Sequence, residues 1–184
     1  LGDCHYVTEG NYDALSMMHL GKKLLEYSGL NPDRLKLEWV SASEGLRYAE
    51  VVTDFTNELK ELGPLGESEG VDPKELKLKI EAITRLLPYI KLVEREKVRV
   101  RFEDKEAYEE FFSSDEITSL FEELIVDKLA ISQIMLLLQE EALSSRDIAE
   151  NLGMSSTDVS KHLRNSARQK LVKFNESERR YALA

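Results

Sequence analysis

The chain has 184 residues, with 33% charged and 42% hydrophobic side chains and a net charge of −10, which fits one large or two small globular domains. No run approaches the ~18 consecutive apolar residues that a bilayer requires, and no basic stretch leads into an apolar one, so neither a membrane span nor a signal peptide is expected. The single cysteine, Cys4, excludes an internal disulfide and cannot alone complete a zinc or cluster site, so a reducing cytoplasm is expected.

Residues 11–28 carry Leu15, Met18, Leu24 and Leu25 near helical spacing and end at Gly29, which predicts a helix. Asn31-Pro32 predicts a turn. "LKLEWV" (35–40) alternates and predicts a strand. Ser41 or Ser43 is expected to cap a helix reaching about Leu62, with Val51, Val52, Phe55 and Leu59 as its buried stripe. Helix, strand and helix together predict a piece of an α/β layer. One strand makes no sheet, so its neighbours must come from upstream sequence or from a partner.

"GPLGESEG" (63–70) predicts a linker, and Asp72-Pro73-Lys74-Glu75 a strong helix start. That helix carries Leu76, Ile80, Ile83, Leu86 and Leu87, and Pro88 is expected to kink or end it. "KVRVRF" (97–102) alternates and predicts a half-buried strand. Residues 107–112 predict a short helix. Ser113-Ser114-Asp115-Glu116 predicts a capping box before Ile117, Leu120, Phe121 and Leu124. The apolar pattern broadens over 129–138, so that helix is expected to be covered on more than one side, and it could equally serve as a homodimer interface. The paired acids Glu122-Glu123 and Glu140-Glu141 read as solvated helix faces.

Residues 144–184 predict two short capped helices, a turn at Gly153 and a hairpin. Ser144 with Asp147 and Ser155 with Asp158 stand at capping-box spacing. Ile148, Ala149, Leu152, Val159 and Leu163 point inward. Thr157, Lys161, Arg164 and Arg168 fall at i, i+4, i+7 and i+11, on one face of the second helix. "LVKF", "NESER" and "RYAL" form a strand, turn and strand, with Arg179 and Arg180 free for backbone contact. From Ser144 to Ala184 the charge is +3, against −13 for residues 1–143. This pattern resembles the winged helix-turn-helix domains of bacterial and archaeal regulators, with the preceding helix at about Asp127 to Glu141. The resemblance implies either DNA contact through the cationic face and wing or a protein-interaction module. His162 lies off the cationic face and reads as a surface or semi-buried histidine.

"GDCHY" (2–6), "LEWVSASEG" (37–45) and "VVTDFTNELKELGP" (51–64) occur in order near the start. They resemble the second half of the delta (iron-sulfur) subunit of methyl-viologen-reducing hydrogenases, a family that accompanies heterodisulfide reductases. The resemblance implies a small α/β domain with a two-iron two-sulfur cluster, passing electrons from a hydrogenase or another dehydrogenase to heterodisulfide reductase. In that family most cysteines lie upstream of the position where this chain begins. Cys4 matches the last of them and is the candidate metal ligand. The resemblance therefore implies an N-terminally truncated piece of a cluster-bearing parent. The chain by itself is expected to be non-catalytic and to hold no cluster. No phosphate loop, dinucleotide fingerprint or hydrolase motif is present.

The fold class expected is mainly α with some β: a partial α/β segment over 1–64, a linker and helical middle over 65–126, and a winged helix over 127–184. Three functions remain open. One is an electron-transfer fragment with hydrogenase and heterodisulfide reductase partners. The others are a DNA-binding regulator and a non-catalytic interaction module.

Overall fold

Short side-chain caps decide where most of the helices begin. The computed structural model describes residues 10–184 except 101 and 103. Among the described residues are α1 (Gly10–Tyr27), α2 (Gly45–Leu62), α3 (Pro73–Val93), α4 (Lys105–Ser113), α5 (Asp115–Phe121), α6 (Asp127–Glu140), α7 (Ser145–Leu152) and α8 (Ser156–Arg168). They also include an antiparallel hairpin of β1 (Val172–Asn175) and β2 (Arg180–Leu183). Asp72 Oδ1 accepts from the amides of Lys74 and Glu75 at 2.9 and 3.0 Å. Asp104 Oδ1 accepts from Ala107 at 2.8 Å, and Ser114 Oγ from Ile117 at 3.3 Å. Each such cap stabilises its helix by about 1 kcal/mol. The fold class is mainly α with some β, and among the described residues the paired strands all lie in the C-terminal hairpin.

Two π turns interrupt the α-helical ladder. The Arg99 amide reaches back five residues to the Glu94 carbonyl at 2.8 Å, closing the turn Glu94–Val98 that follows α3. The Asp127 amide does the same to Glu122, closing the turn Glu122–Val126 between α5 and α6. The first of these turns ends the α3 row, whereas the second carries the helix on into α6 across the extra residue.

Packing divides the described chain into two compact units. The first holds residues 10–76 and 90–119. Leu15 and Leu20 of α1 are buried, as are Ile90, Val93, Val98, Tyr108 and Phe112. His19 stacks on Phe112 with ring centroids 4.6 Å apart. Tyr108 donates its hydroxyl to the Val100 carbonyl at 2.9 Å. Glu94 is buried, and Arg99 neutralises it through two contacts of 3.2 and 3.3 Å while also reaching Asp13 at 3.3 Å. Arg34 clamps the turn after α2: it pairs with Glu69 and donates to the carbonyls of Leu62, Gly63 and Pro64.

The second unit holds Lys77–Tyr89 and Leu120–Ala184. Its core joins Ile134, Leu138, Leu143, Ile148, Leu152, Val159, Leu163 and Val172. Ser144 Oγ accepts from the Asp147 amide at 3.2 Å, and Asp147 Oδ2 accepts from the Ser144 amide at 3.1 Å, a complete capping box. Gly153 closes α7 in the left-handed region, with φ 61°. The hairpin pairs Val172 with Leu183 and Phe174 with Tyr181. Leu143 adds a bridge to Tyr181 through bonds of 3.0 and 2.7 Å. Helix, bridge, two helices and hairpin make the winged-helix order.

Several expectations are corrected. Residues 35–40 form no strand: the Leu35 amide turns back to the Pro32 carbonyl at 3.2 Å, and among the described residues nothing pairs with the backbone of 36–40. Residues 97–100 likewise form no strand: Lys97 and Val98 are taken into the π turn, the Arg99 amide closes it onto Glu94, and the Val100 carbonyl accepts from the Tyr108 hydroxyl. Neither Ser41 nor Ser43 caps α2. Their hydroxyls lie 3.2 Å apart, and Glu44 takes the capping position while its carboxylate accepts from the Ser41 amide at 2.8 Å. The stripe of α2 is not buried: Val51, Phe55 and Leu59 are half-buried and Val52 is exposed. Proline in a helix costs about 3 kcal/mol, yet α3 passes through Pro88 to Val93. Burial of Ile90 and Val93 beyond it, at about 1.5–3 kcal/mol each, offsets that cost. The breadth of 129–138 reflects burial within the unit, where Leu129, Ala130, Gln133, Ile134, Leu136 and Leu138 are all covered.

Candidate functional site

The cationic face begins with its cap. Ser155 Oγ accepts from the Asp158 amide at 3.1 Å and fixes the start of α8. Val159, His162, Leu163 and Ser166 are buried on one side. Thr157, Lys161, Arg164 and Arg168 are exposed on the other, as the spacing predicts. These cations are not equally available. Lys161 Nζ lies 3.3 Å from Asp127 Oδ2. Arg164 Nε donates to the Ser160 carbonyl of its own turn at 3.2 Å. The Arg168 guanidinium contacts no acid or carbonyl among the described residues. Arg179 sits in the turn with φ 55°, at the foot of β2. Arg180 is exposed and donates to the Ala142 carbonyl at 3.0 Å, so part of its donor set is already engaged.

His162, expected at the surface or semi-buried, is only 4% exposed and so is more deeply buried than its sequence position suggested. Burial pushes its pKa down, and the Asp127 carboxylate 3.8 Å away opposes that shift. Asp127 thus faces both Lys161 and His162 from the first turn of α6. Sequence reading missed Asp127, because a contact across 34 positions leaves no periodic trace.

In the first unit, residues 35–39 border a cleft of about 760 Å³ with Leu15, Met18, His19, Lys22, Glu58 and Leu62. A smaller depression of about 390 Å³ lies among Lys36, Glu38, Val40, Tyr48, Val51, Val52 and Phe55. Gly21 lets Leu35 approach α1, since a Cβ there would stand 2.7 Å from Leu35 Cδ2. Lys36 pairs with Glu58 at 2.7 Å and Glu38 with Arg47 at 3.1 Å, which fixes the segment further.

Cys4 lies outside the described residues. Among the described residues, no group of three or more His, Cys, Asp or Glu side chains is placed to hold a metal. A two-iron two-sulfur cluster takes about four ligands, mostly thiolates. Cys4 is the one cysteine in the sequence, and His162 is locked in a hydrophobic core. The residues present therefore do not make a complete cluster site, and further ligands would have to come from elsewhere. No helix among the described residues is long and apolar enough to cross a membrane.

Comparison with known proteins assigns the two ends of the chain separately. The N-terminal part matches the family described as methyl-viologen-reducing hydrogenase, delta subunit. Residues 1–63 are delta-subunit-like. Over 64 residues the chain is 55% identical to the iron-sulfur subunit of the F420-non-reducing hydrogenase of Archaeoglobus profundus, covering 35% of this chain and 46% of that one. It is 35% identical over 63 residues to the iron-sulfur subunit of the vhc F420-non-reducing hydrogenase of Methanococcus voltae, covering 34% of this chain and 43% of that one. The same delta-subunit-like segment is 42% identical over 66 residues to one subunit of the ferredoxin:CoB-CoM heterodisulfide reductase of Methanosarcina mazei. There the match covers 36% of this chain and only 8% of the reductase polypeptide. The chain thus spans less than half the length of the curated relatives it matches. Residues 132–165 match the family described as bacterial regulatory protein, arsR family. That stretch runs from within α6 to within α8, the helices that carry Ile134, Ile148, Val159 and Leu163. No solved structure matches the chain.

Proposed function

We propose that this chain belongs to an electron-transfer component linking a hydrogenase, or another dehydrogenase, to heterodisulfide reductase. The observation that carries the reading is the delta-subunit-like segment itself. It is similar both to hydrogenase iron-sulfur subunits and to a small part of a heterodisulfide reductase polypeptide. One module shared between a donor enzyme and an acceptor enzyme suits a link between them. On this reading residues 1–64 are the redox-derived segment, 65–126 the linker and middle region, and 127–184 a winged helix for docking or regulation. Cys4 would be one ligand of a two-iron two-sulfur cluster completed by residues outside this chain. When bound, such a cluster supplies a one-electron relay. The test is anaerobic purification of the complete gene product with visible and electron-spin spectra. A two-iron two-sulfur signal that Cys4→Ser alters is expected. A folded, intact protein without any cluster signal refutes the reading.

A second reading has its own support. The arsR-family match and the exposed Thr157, Lys161, Arg164 and Arg168 fit a DNA-binding regulator. Phosphate contacts release counterions, so duplex affinity must fall as salt rises. Binding that is absent, or indifferent to salt, removes this reading.

A further inference from the structure

Two residues other than glycine hold a left-handed backbone among the described residues, Lys170 at φ 58° and Arg179 at φ 55°. Both are cations, and they bracket the first strand of the hairpin. A Cβ crowds the following carbonyl in this region, so the conformation costs energy that glycine would not incur. Lys and Arg are 25 of the 184 residues, so composition alone does not put cations at both places. Strain that one substitution would relieve points to side chains kept for what they contact.

The backbone bonds at each position demand this shape. The Lys170 amide donates to the Ala167 carbonyl at 3.0 Å and the Leu171 amide to the Ser166 carbonyl at 2.9 Å, which ends α8 on a left-handed residue. In the hairpin turn, Asn175 Oδ1 accepts from the amides of Ser177 and Glu178 at 3.1 and 3.4 Å, and Arg179 then leads back into β2. Glycine suits both places better than a cation does. The end of α8 does not require Lys170 for its charge, because Arg168 already stands in the last turn. Neither the Lys170 ammonium nor the Arg179 guanidinium meets an acid or a carbonyl among the described residues, and both residues are exposed.

The charge around them identifies a ligand. From Val159 to Asn175 the chain carries Lys161, Arg164, Arg168, Lys170 and Lys173 and no acid, although 35 of its 184 residues are Asp or Glu. An acid-free run of cations along a helix and into a hairpin suits a row of phosphates. Lys170 lies two residues past Arg168, where the helical face ends. Arg179 shares its turn with the exposed acids Glu176 and Glu178, which oppose a phosphate. Lys170 has no such neighbour in the sequence.

We propose that Lys170 is a phosphate-contacting residue for duplex DNA, carrying the cationic face of α8 past the helix end to the base of the hairpin, with Arg179 a weaker second contact. The choice of ligand rests on the DNA-binding reading. The four residues of β1, at about 3.3 Å each, put about 10 Å of strand between the two cations, so they meet different phosphates and release separate counterions.

The test titrates the full chain against a labelled mixed-sequence DNA duplex of about 30 base pairs at several salt concentrations. Lys170→Gly is expected to make the log–log salt slope shallower by about 0.9 and to weaken binding about five- to tenfold at about 0.1 M salt. Its melting temperature should hold or rise, because the left-handed backbone is relieved. Lys170→Arg keeps the slope. Arg179→Gly loses less slope than Lys170→Gly. Lys60→Ala, which removes an exposed cation of the first unit, leaves the slope unchanged. A slope that Lys170→Gly does not alter overturns the proposal and leaves the DNA-binding reading standing; a melting temperature that falls with it shows Lys170 to be a helix-ending residue only. An equal loss of slope from Lys60→Ala reduces the effect to net charge and overturns the proposal too. Absence of salt-dependent binding by the unaltered chain is a separate result, which overturns the DNA-binding reading and this contact with it.

Discussion

On the DNA-binding reading, Asp127 holds the winged helix below its full affinity. Lys161 lies 3.3 Å from the Asp127 carboxylate, while Arg164 and Arg168 on the same exposed face have no acidic partner among the described residues. Each phosphate contact steepens the salt dependence by about 0.9 in log–log slope. Two available arginines predict a slope of about −1.8 for the unaltered helix face. Asp127→Asn releases Lys161 and steepens it to about −2.7. Both partners are about half exposed, so the pair contributes at most about 1 kcal/mol. Its removal therefore tightens duplex binding by no more than about fivefold at low salt. Fluorescence anisotropy with a labelled duplex at four or five salt concentrations measures both quantities. The Lys161→Ala background must abolish the effect of Asp127→Asn. A slope unchanged by Asp127→Asn, or an effect that survives Lys161→Ala, refutes the reasoning.

Gly153→Ala tests the turn between α7 and α8. Space is not the obstacle, since nothing lies within 4 Å of an added Cβ. The left-handed backbone costs a non-glycine residue about 1–2 kcal/mol, and a stiffer unfolded chain returns about 0.4–1. Urea unfolding should therefore show a loss of about 0.5–1.5 kcal/mol, with Gly153→Asn milder. Leu163→Ala, in the centre of the second unit's core, should cost about 2–5 kcal/mol in the same assay. His162 has a folded pKa below its ordinary 6.5, so the unfolded chain binds more protons as the pH drops beneath that value. Stability should be full above about pH 6.5 and decline below it by up to about 1.4 kcal/mol per pH unit; melting at about pH 7.5 and 5.5 checks this, and His162→Leu should flatten the difference. The hydrogen bond from Arg34 holds Glu69 down to about 2, against an ordinary value of 4.5. The carboxyl resonance of Glu69 should titrate near the lower figure. What the clamp contributes should be present above about pH 4.5 and vanish towards 2.

The winged helix was legible because its signals are local. Ser144, Asp147, Gly153, Ser155 and Asp158 act within a few residues of themselves, and the apolar positions follow one helical period. The same holds for the Asp72-Pro73 helix start. Long-range events decided what could not be read. Residues 35–40 have strand composition, yet a strand exists only when another pairs with it, and no described residue does. The α2 stripe reads as core because periodicity reports amphipathicity, not what stands opposite. Pro88 reads as a break because the buried Ile90 and Val93 that carry the helix past it are a tertiary fact. Burial of His162 required knowing that α6 brings Asp127 and the core against it. Of the candidate site residues, the four on α8 came together as their spacing required. Arg180, still exposed, spends a donor on the Ala142 carbonyl, and Cys4 lies outside the described residues.

The turn at Glu122–Val126 has a consequence for how this chain tolerates length changes. An amide that reaches back five residues, as Asp127 does to Glu122, contains one residue more than the α-helical ladder needs. Removing a single residue elsewhere in a helix rotates everything beyond it by about 100° and pulls its apolar stripe off the core. Removing one of the exposed acids Glu122 or Glu123 lets the ladder close with ordinary bonds, so that the extra residue, not the flanking register, absorbs the loss. A deletion scan along 115–140 should therefore find one permissive notch in an otherwise intolerant helix, and that notch marks where a lineage could gain or shed a residue without rebuilding the fold.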